Sequence, residues 1–248
     1  MLSVIVIAKN EAATIRRCLD AIRWADEIIV LDSGSEDATV AVAREYTPHV
    51  FQTDWQGFGV QKQRALEKAS GDWILNLDAD EVITEPLRQE VLKAMSQTEL
   101  SGFRIPIRMF FYGKALRFSA GPKRHVRLFK RTGARFSSDL VHEKILLPEH
   151  SRIGRFTSPI LHYSFRDVSH ALTKINLYSS YSARIRIEAN KKHTLTQTLL
   201  SSIWMFLRCY VIQGGMLDGK PGLVFALFQA QGSWYRGIKQ LYRDSVSL

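Results

Sequence analysis

The chain lacks the cysteines that a disulfide framework or a zinc site requires. Its two cysteines, Cys18 and Cys209, are too few and too far apart in sequence to form such a framework, so reduced thiols in a cytoplasm are expected. The sequence also has no internal repeat, no low-complexity segment, no zinc-ligand spacing, no helix-turn-helix and no RNA-binding aromatic signature. A nucleic-acid partner is therefore not expected.

A glycine-rich phosphate loop is also missing from the place where a dinucleotide-binding fold would carry one. Leu2–Ala8 is typical of a buried strand, and it is too short and too poor in basic residues to be a signal peptide. The next turn, Ala8-Lys9-Asn10-Glu11, lacks Gly-x-Gly-x-x-Gly, and Asn10 can cap the helix that follows. NAD binding is therefore not expected, and a metal ion would have to hold any phosphates.

Acidic residues stand where two apolar runs end. Glu27–Leu31 is followed by Asp32, and Trp73–Leu77 is followed by Asp78-Ala79-Asp80. The order strand, helix, strand, acidic residue is the opening of a nucleotide-binding α/β sheet, whose ligands bind at the carboxyl ends of the strands. Asp32 could accept hydrogen bonds there from a ribose or from the imide N–H of a uracil.

Asp78 and Asp80 are one residue apart, and two such carboxylates repel each other unless a positive charge lies between them. Mg²⁺ or Mn²⁺ would relieve this repulsion and keep coordination positions for a diphosphate. His162 is a candidate third ligand, with a hydrogen-bonded core histidine as the alternative. An isolated Asp-x-Asp is commonly a solvated turn, so the metal interpretation depends on the two upstream signals.

Further candidates for the site lie downstream of the first two strands. Lys62, on a predicted short helix, could reach a phosphate or ribose of a bound nucleotide, or it could be a solvated helix lysine. Arg127, on an alternating strand, points towards either the site or a buried partner. Glu143 is a candidate general base, with a salt bridge to a nearby arginine as the alternative. His142 could orient Glu143, touch a phosphate or pack, and Asp139 is the next candidate for the base.

Short motifs follow one another in a fixed order along most of the chain. They are Val4–Glu11, Asp32–Asp37, Gln61–Gln63, Gly71–Trp73 leading into Asp78–Glu81, Val126–Arg131, Val141–Glu143 and Leu217–Gly219. Together they resemble family 2 of the glycosyltransferases, and within it the small bacterial enzymes that add a sugar to the inner core of lipopolysaccharide. Gln63 and Glu36 depart from that pattern, in which asparagine and threonine are more common.

The resemblance implies a GT-A fold, which is a Rossmann-like α/β mixed sheet flanked by helices, and an inverting mechanism. It implies a UDP-linked hexose as the donor, with glucose as the first candidate, and a heptose of the lipopolysaccharide core as the acceptor. A peptide side chain is an alternative acceptor, and a non-catalytic glycolipid-binding protein or a nucleotidyltransferase are alternative classes. The predicted site combines Glu143 as catalytic base, a metal bound by Asp80, Asp78 and His162, and donor contacts from Ala8, Asn10, Glu11, Asp32, Lys62, Asp78 and Arg127.

Charge is unevenly divided along the 248 residues. Residues 1–100 contain 10 Lys/Arg and 17 Asp/Glu, whereas residues 101–248 contain 24 and 7. This division predicts a polyanionic partner for the second part, such as a phosphorylated lipid or an anionic membrane surface, with an ordinary surface imbalance as the alternative. The predicted domains are a catalytic domain over 1–165, with a nucleotide-sugar half to residue 100 and an acceptor half after it, and a helical region over 166–248.

Two short apolar runs mark the helical region. Leu199–Ile212 is apolar almost all round, but it is shorter than the ~20 residues of a membrane span, and Arg208 interrupts it. Leu223–Phe228 is the second run. Short apolar helices with aromatic and basic residues at their edges suit a membrane interface, and a cap on the domain or a contact in a homo-oligomer are the alternatives. We expect a peripheral protein on the inner face of the cytoplasmic membrane.

Overall fold

A computed structural model describes residues 1–97, 99–120, 123–138, 143–165 and 167–242 of the chain. The chain forms two compact units, the first from Met1–Ile107 and Lys123–His162, the second from Arg108–Pro122 and Tyr163–Leu248. The predicted domain boundary after residue 165 stays a prediction. The roles considered for Asp139 and His142 fall outside the described residues.

The first unit is built around four parallel strands in the spatial order β3-β2-β1-β4. These strands are β1 (Leu2–Ala8), β2 (Glu27–Asp32), β3 (Val50–Gln52) and β4 (Trp73–Asp78). All seven residues of β1 are buried, as expected for a parallel strand that is covered on both faces. The register pairs Ala8 with Asp32 and Ile7 with Asp78, so the predicted acidic residues meet at one edge of the sheet.

Antiparallel strands extend this sheet beyond β4, which makes it mixed. Strand β8 (Lys123–Lys130) pairs with β4, β6 (Gly102–Phe111) pairs with β8, and β5 (Glu81–Ile83) pairs with the start of β12 (Ile160–Phe165), and all three pairings are antiparallel. A separate hairpin joins β9 and β10. The other strands are β7 (Lys114–Ala115), β9 (Arg135–Phe136), β10 (Ile145–Leu146) and β11 (Ile153–Arg155).

Helices cover both faces of the first unit's sheet. They are α1 (Ile15–Asp20), α2 (Thr39–Arg44), α3 (Phe58–Glu67) and α4 (Glu85–Gln97). Successive side chains of a strand point to opposite faces, and those of β1 accordingly divide between two cores. Val4 and Val6 join the core that contains residues of α1 and α4, whereas Ile5 and Ile7 join the core that contains residues of α3. The predicted α/β class is confirmed.

The second unit is mainly helical. It contains α5 (Val168–Glu188), α6 (Leu195–Leu207), which continues as a π-helical segment Arg208–Ile212, a 3-10 turn Gly215–Asp218, and α7 (Lys220–Leu241). In the described part of the chain, Leu195–Ile212 is the one helical stretch long and apolar enough to cross a membrane, and 11% of this 18-residue window is buried. It begins four residues before the predicted apolar run.

Asp218 orders a loop of the second unit, which gives the Leu217–Gly219 motif a structural role. Its carboxylate accepts hydrogen bonds from the backbone N–H groups of Arg117, Phe118 and Ser119 at 2.9, 3.1 and 2.8 Å, and from the Ser119 hydroxyl. Burial works against the charge of Asp218, but these donors outweigh it and lower the pKa of the carboxyl. The motif therefore fixes the loop that follows β7.

Candidate active site

Asp32 shapes the turn at the end of β2. Its side chain is fully buried, and Oδ1 accepts hydrogen bonds from the backbone N–H groups of Gly34 and Ser35 at 3.0 and 2.8 Å. Oδ2 accepts from the Ser35 hydroxyl. Gly34 has a φ of 82°, a backbone conformation that glycine adopts without strain. Asp32 therefore holds the turn in place at the edge where the predicted donor site lies.

Asn10 joins this turn to the turn that follows β1. Its backbone N–H donates to Ser35 Oγ at 2.8 Å, and its Oδ1 accepts from the backbone N–H of Glu36 at 2.9 Å. The predicted capping role of Asn10 is wrong, because α1 begins at Ile15 with Thr14 before it. The side-chain amide of Asn10 binds the neighbouring turn instead.

Ala8 and Glu11 strengthen the same connection. The carbonyl oxygen of Ala8 accepts from the backbone N–H of Ser33 at 2.9 Å. The backbone N–H of Glu11 donates to Thr39 Oγ1 at 2.8 Å, and Glu11 Oε2 accepts from Thr14 Oγ1 at 2.6 Å. The two turns at the carboxyl ends of β1 and β2 thus form one hydrogen-bonded structure.

Five side chains form a chain of alternating charges beyond the end of β4. Lys62 Nζ lies 2.6 Å from Glu143 Oε1 and 2.9 Å from Asp78 Oδ1. Arg127 Nη2 lies 3.1 Å from Asp78 Oδ2 and 2.6 Å from Glu81 Oε1. Glu81 also accepts, through Oε2, from the backbone N–H of Asp78 at 2.9 Å. The structure therefore brings Glu143, Lys62, Asp78 and Arg127 together, as the sequence predicts for one site.

Burial decides between the alternatives left open for Lys62 and Arg127. The side chains of Lys62, Arg127 and Glu81 are 3%, 8% and 0% exposed, so Lys62 is not a solvated helix lysine, and Arg127 has a buried partner in Glu81. The salt-bridge partner of Glu143 is Lys62 rather than an arginine. Breaking such a buried pair leaves an uncompensated charge, so each member constrains the position of the next.

The pKa values of these side chains follow from their burial and from the opposite charges beside them. Burial works against the charge of Asp78, but Lys62 and Arg127 outweigh it and hold the pKa of this carboxyl well below its usual range. Burial also works against Lys62, yet Asp78 and Glu143 raise its pKa. At Glu81 burial prevails over the attraction of Arg127 and raises the pKa. Lys62 and Asp78 therefore stay charged at neutral pH.

Asp80 pairs with His162. Imidazole Nε2 lies 3.0 Å from Asp80 Oδ1, and antiparallel pairing of β12 with β5 places His162 opposite Glu81. Burial works against the charged imidazole, but Asp80 outweighs it and raises the pKa of His162 to about 9. His162 is therefore an imidazolium at neutral pH. The structure brings Asp80 and His162 together as an ion pair.

The fit of a divalent metal can be tested on these contacts. Among the described residues, no three His, Cys, Asp or Glu side chains are arranged to hold a metal by themselves. The two oxygens of Asp78 contact Lys62 and Arg127, so side-chain cations already relieve the predicted repulsion between Asp78 and Asp80. Asp80 Oδ1 accepts a hydrogen bond from His162 Nε2 at 3.0 Å, so Asp80 suits a divalent ion whose other ligands come from a diphosphate and water, whereas His162 could join it only after losing this proton.

Helix α3 contributes two site-forming residues whose roles the sequence did not reveal. Gln61 Nε2 donates to Ser33 Oγ at 3.0 Å and to the carbonyl of Asp54 at 2.5 Å. Gln63 Oε1 accepts from the backbone N–H of Phe136, in the β9–β10 hairpin, at 2.9 Å. Because consecutive helix residues point in different directions, residues 61–63 reach the turn after β2, the chain of charges and strand β9, which precedes Glu143. The only sign of these roles in the sequence is that Gln61 and Gln63 belong to the same short motif.

Two named proteins resemble this one along most of its length. The lipopolysaccharide core biosynthesis glycosyltransferase LpsC of Rhizobium meliloti is 30% identical, over 95% of this chain and 92% of that protein. An uncharacterized glycosyltransferase of Rickettsia typhi is 27% identical, over 95% and 85%. The crystal structure of S. aureus TarS 1–349 in complex with UDP-GlcNAc has a TM-score of 0.51 and 15% identity, over 98% of this chain and 91% of that one.

The structural likeness to TarS, at this identity, bears on the fold alone, and it confirms the predicted GT-A fold. The sequence also matches the profile described as glycosyl transferase family 2 over residues 3–145, which is more than half of the chain. Together with the identity to LpsC over nearly the full length of both proteins, this match confirms the predicted family. The chain therefore belongs to glycosyl transferase family 2 and is a glycosyltransferase.

Proposed function

We propose that this enzyme transfers a hexose from a UDP-linked donor to a sugar of the lipopolysaccharide core, with inversion at the anomeric carbon. Glucose is the first candidate for the hexose. The observation that carries the proposal is the chain of charges from Glu143 through Lys62 to Asp78, at the edge where β1, β2 and β4 end. The name of LpsC supports the lipopolysaccharide core as acceptor, and the complex of TarS supports a UDP-linked donor. Acceptance of a peptide instead would change the acceptor but not the chemistry.

The joined turns after β1 and β2 would hold the nucleoside. Each carboxylate oxygen can accept two hydrogen bonds. Oδ1 of Asp32 already accepts two from its own turn and Oδ2 accepts one, so Oδ2 keeps one position for a ribose hydroxyl or for the imide N–H of uracil, and the buried carboxylate would have to be uncovered for this contact. Asn10 and Glu11 hold the neighbouring backbone in place. Because this structure is already hydrogen-bonded, the donor would meet a preorganised surface.

A metal ion would supply positive charge at the place where the diphosphate leaves. Asp80 would hold Mg²⁺ or Mn²⁺, with His162 as a second ligand once its nitrogen has lost the proton shared with Asp80, and the ion would neutralise the leaving group. Behind them, Lys62 and Arg127 fix the Asp78 carboxylate through both of its oxygens. Lys62 and Arg127 are both paired with carboxylates, so they would not neutralise the diphosphate themselves. They keep Asp78 in one geometry, which costs no reorganisation during the reaction.

Glu143 would act as the general base. Its contact with Lys62 at 2.6 Å restricts the orientation of the carboxylate. As the acceptor oxygen attacks the anomeric carbon opposite the diphosphate, Glu143 would take the hydroxyl proton. Lys62 thus contacts both the proposed base and the acidic residue at the end of β4, which places the two ends of the reaction in one geometry.

A panel of nucleotide sugars with Mg²⁺ or Mn²⁺ tests the donor assignment. We expect slow hydrolysis and metal-dependent thermal protection with UDP-hexoses, and neither effect with GDP- or ADP-linked sugars. The Asp32→Asn variant keeps an oxygen that can accept from Gly34 and Ser35, so the turn should survive while donor KM rises about tenfold or more. Preference for a non-uridine donor, or an unchanged KM in Asp32→Asn, would contradict this assignment.

We also place the enzyme at the anionic inner face of the cytoplasmic membrane. Residues 101–248 contain 24 Lys/Arg against 7 Asp/Glu, and each basic residue near an anionic surface contributes roughly 1 kcal/mol of attraction. We expect flotation with vesicles of phosphatidylcholine and phosphatidylglycerol, weaker flotation with phosphatidylcholine alone, and a loss of the difference as salt screens the charges. Equal flotation with both kinds of vesicle in low salt would argue against electrostatic attraction.

A further inference from the structure

Helix α6 and its π-helical continuation expose large apolar side chains, and a group of these lies on one face. Leu200, Ile203, Trp204, Leu207 and Val211 are between 42% and 62% exposed, and we call these five residues the α6 stripe. Their spacing of i, i+3, i+4, i+7 and i+11 places them together along the helix. On a water-soluble surface helix, a stripe with this spacing packs against the protein core.

The face of α6 that packs against α7 carries small and hydroxyl side chains instead. Thr198 is fully buried beside Gly237, where a Cβ on the glycine would lie 2.5 Å from its side chain. Ser233 Oγ lies 3.3 Å from Ser201 Oγ, and Ser201 and Ser202 donate to the carbonyl of Thr198 at 2.9 and 3.0 Å. Small residues between helices with large apolar residues facing outward are typical of helices that contact lipid.

Charge distinguishes lipid from a second copy of the chain as the occupant of this face. Between residues 167 and 242 there are nine Lys/Arg and three Asp/Glu. Lys191 and Lys192 are exposed just before α6, and Lys220 is exposed at the start of α7. Two surfaces with the same excess of positive charge repel each other, whereas anionic headgroups attract both.

We propose that the second unit docks on an anionic lipid bilayer with α6 lying in the membrane plane and the α6 stripe among the acyl chains. The inference rests on the proposed membrane placement and adds the docking face and its depth. A spanning orientation is disfavoured because Arg236 donates to Ser233, in the part of α7 that packs against α6, and Lys239 donates to Asn176, Ser179 and Ser180 of α5, so hydrocarbon would have to surround both charges. An in-plane helix leaves them on the protein side and lets Arg208 extend to the headgroups.

A fluorophore at Leu200→Cys tests the docking face. The native Cys18 and Cys209 are 0% and 5% exposed, so labelling should be confined to the new thiol. Leu92→Cys, on α4 of the first unit at 39% exposure, is the matched control. With phosphatidylcholine–phosphatidylglycerol vesicles in high salt, the label at position 200 should shift to the blue and be quenched by brominated acyl chains, and the label at position 92 should not change.

The charged variants Leu200→Glu and Leu92→Glu make the same comparison without a label. Leu200→Glu should lower vesicle partitioning at least about tenfold, whereas Leu92→Glu should leave it unchanged, and both should retain UDP-sugar hydrolysis. A blue shift that needs no vesicles and grows with protein concentration would show that a second copy covers the stripe. Complete release by salt with hydrolysis intact would overturn insertion while leaving the proposed sugar transfer standing. Equal quenching at both positions would also overturn the proposal.

Discussion

Asp80→Asn is expected to lower sugar transfer at least about a hundredfold, a change of about 3 kcal/mol in the activation barrier. The variant keeps the size of the side chain but removes the charge that, with His162, would hold the metal beside the diphosphate. EDTA should produce a loss of the same order in the unmodified enzyme. The measurement is initial transfer rate with saturating donor and acceptor, and Asp72→Asn, at an exposed aspartate, is the matched control.

Asp80→Asn is also expected to change the thermal stability of the protein in a pH-dependent way. The pKa of His162 is raised to about 9, above the value of about 6.5 of an unperturbed histidine. The Asp80–His162 pair therefore stabilises the fold fully below about pH 6.5, and this contribution is lost as pH rises through about 9. In EDTA, Asp80→Asn should lower the melting temperature in mildly acidic buffer and leave it unchanged in strongly basic buffer. Full transfer by the unmodified enzyme in EDTA would exclude the metal role.

Glu143→Gln is expected to lower kcat at least about a hundredfold while donor KM changes by no more than about threefold. The amide cannot take the acceptor proton, whereas the turns proposed to hold the nucleoside are untouched. Lys62 keeps its partner Asp78 at 2.9 Å, so the buried cation remains paired and the fold should survive.

The control for this variant is Glu149→Gln, which changes an exposed glutamate of the same segment. Single-turnover measurements with donor and acceptor separate the chemical step from binding, and thermal protection by the donor checks that its site remains intact. If Glu143→Gln turns over at a near-normal rate, the base is another residue, and Asp139 is the next carboxylate to replace. A rise in donor KM with kcat unchanged would assign Glu143 to donor binding.

The local sequence determined which segments form strands and which acidic residues follow them. Leu2–Ala8 and Trp73–Leu77 are apolar runs of strand length, and burial on both faces of a parallel sheet requires such runs. The acidic residues that follow them must then meet at one edge, because parallel strands place their carboxyl ends together. Asp32, Asp78 and Asp80 could therefore be identified before the structure was known, and the order of the motifs indicated the family.

Only the tertiary structure decided which charges contact one another and which face of α6 is exposed. Lys62 and Glu143 are 81 residues apart, and Arg127 and Glu81 are 46 apart, so no local pattern connects them. The apolar run in α6 likewise does not specify its buried side, which is set by the close approach of Thr198 to Gly237. Backbone periodicity reflects forces between near neighbours in sequence, whereas buried ion pairs and helix contacts depend on how distant segments pack.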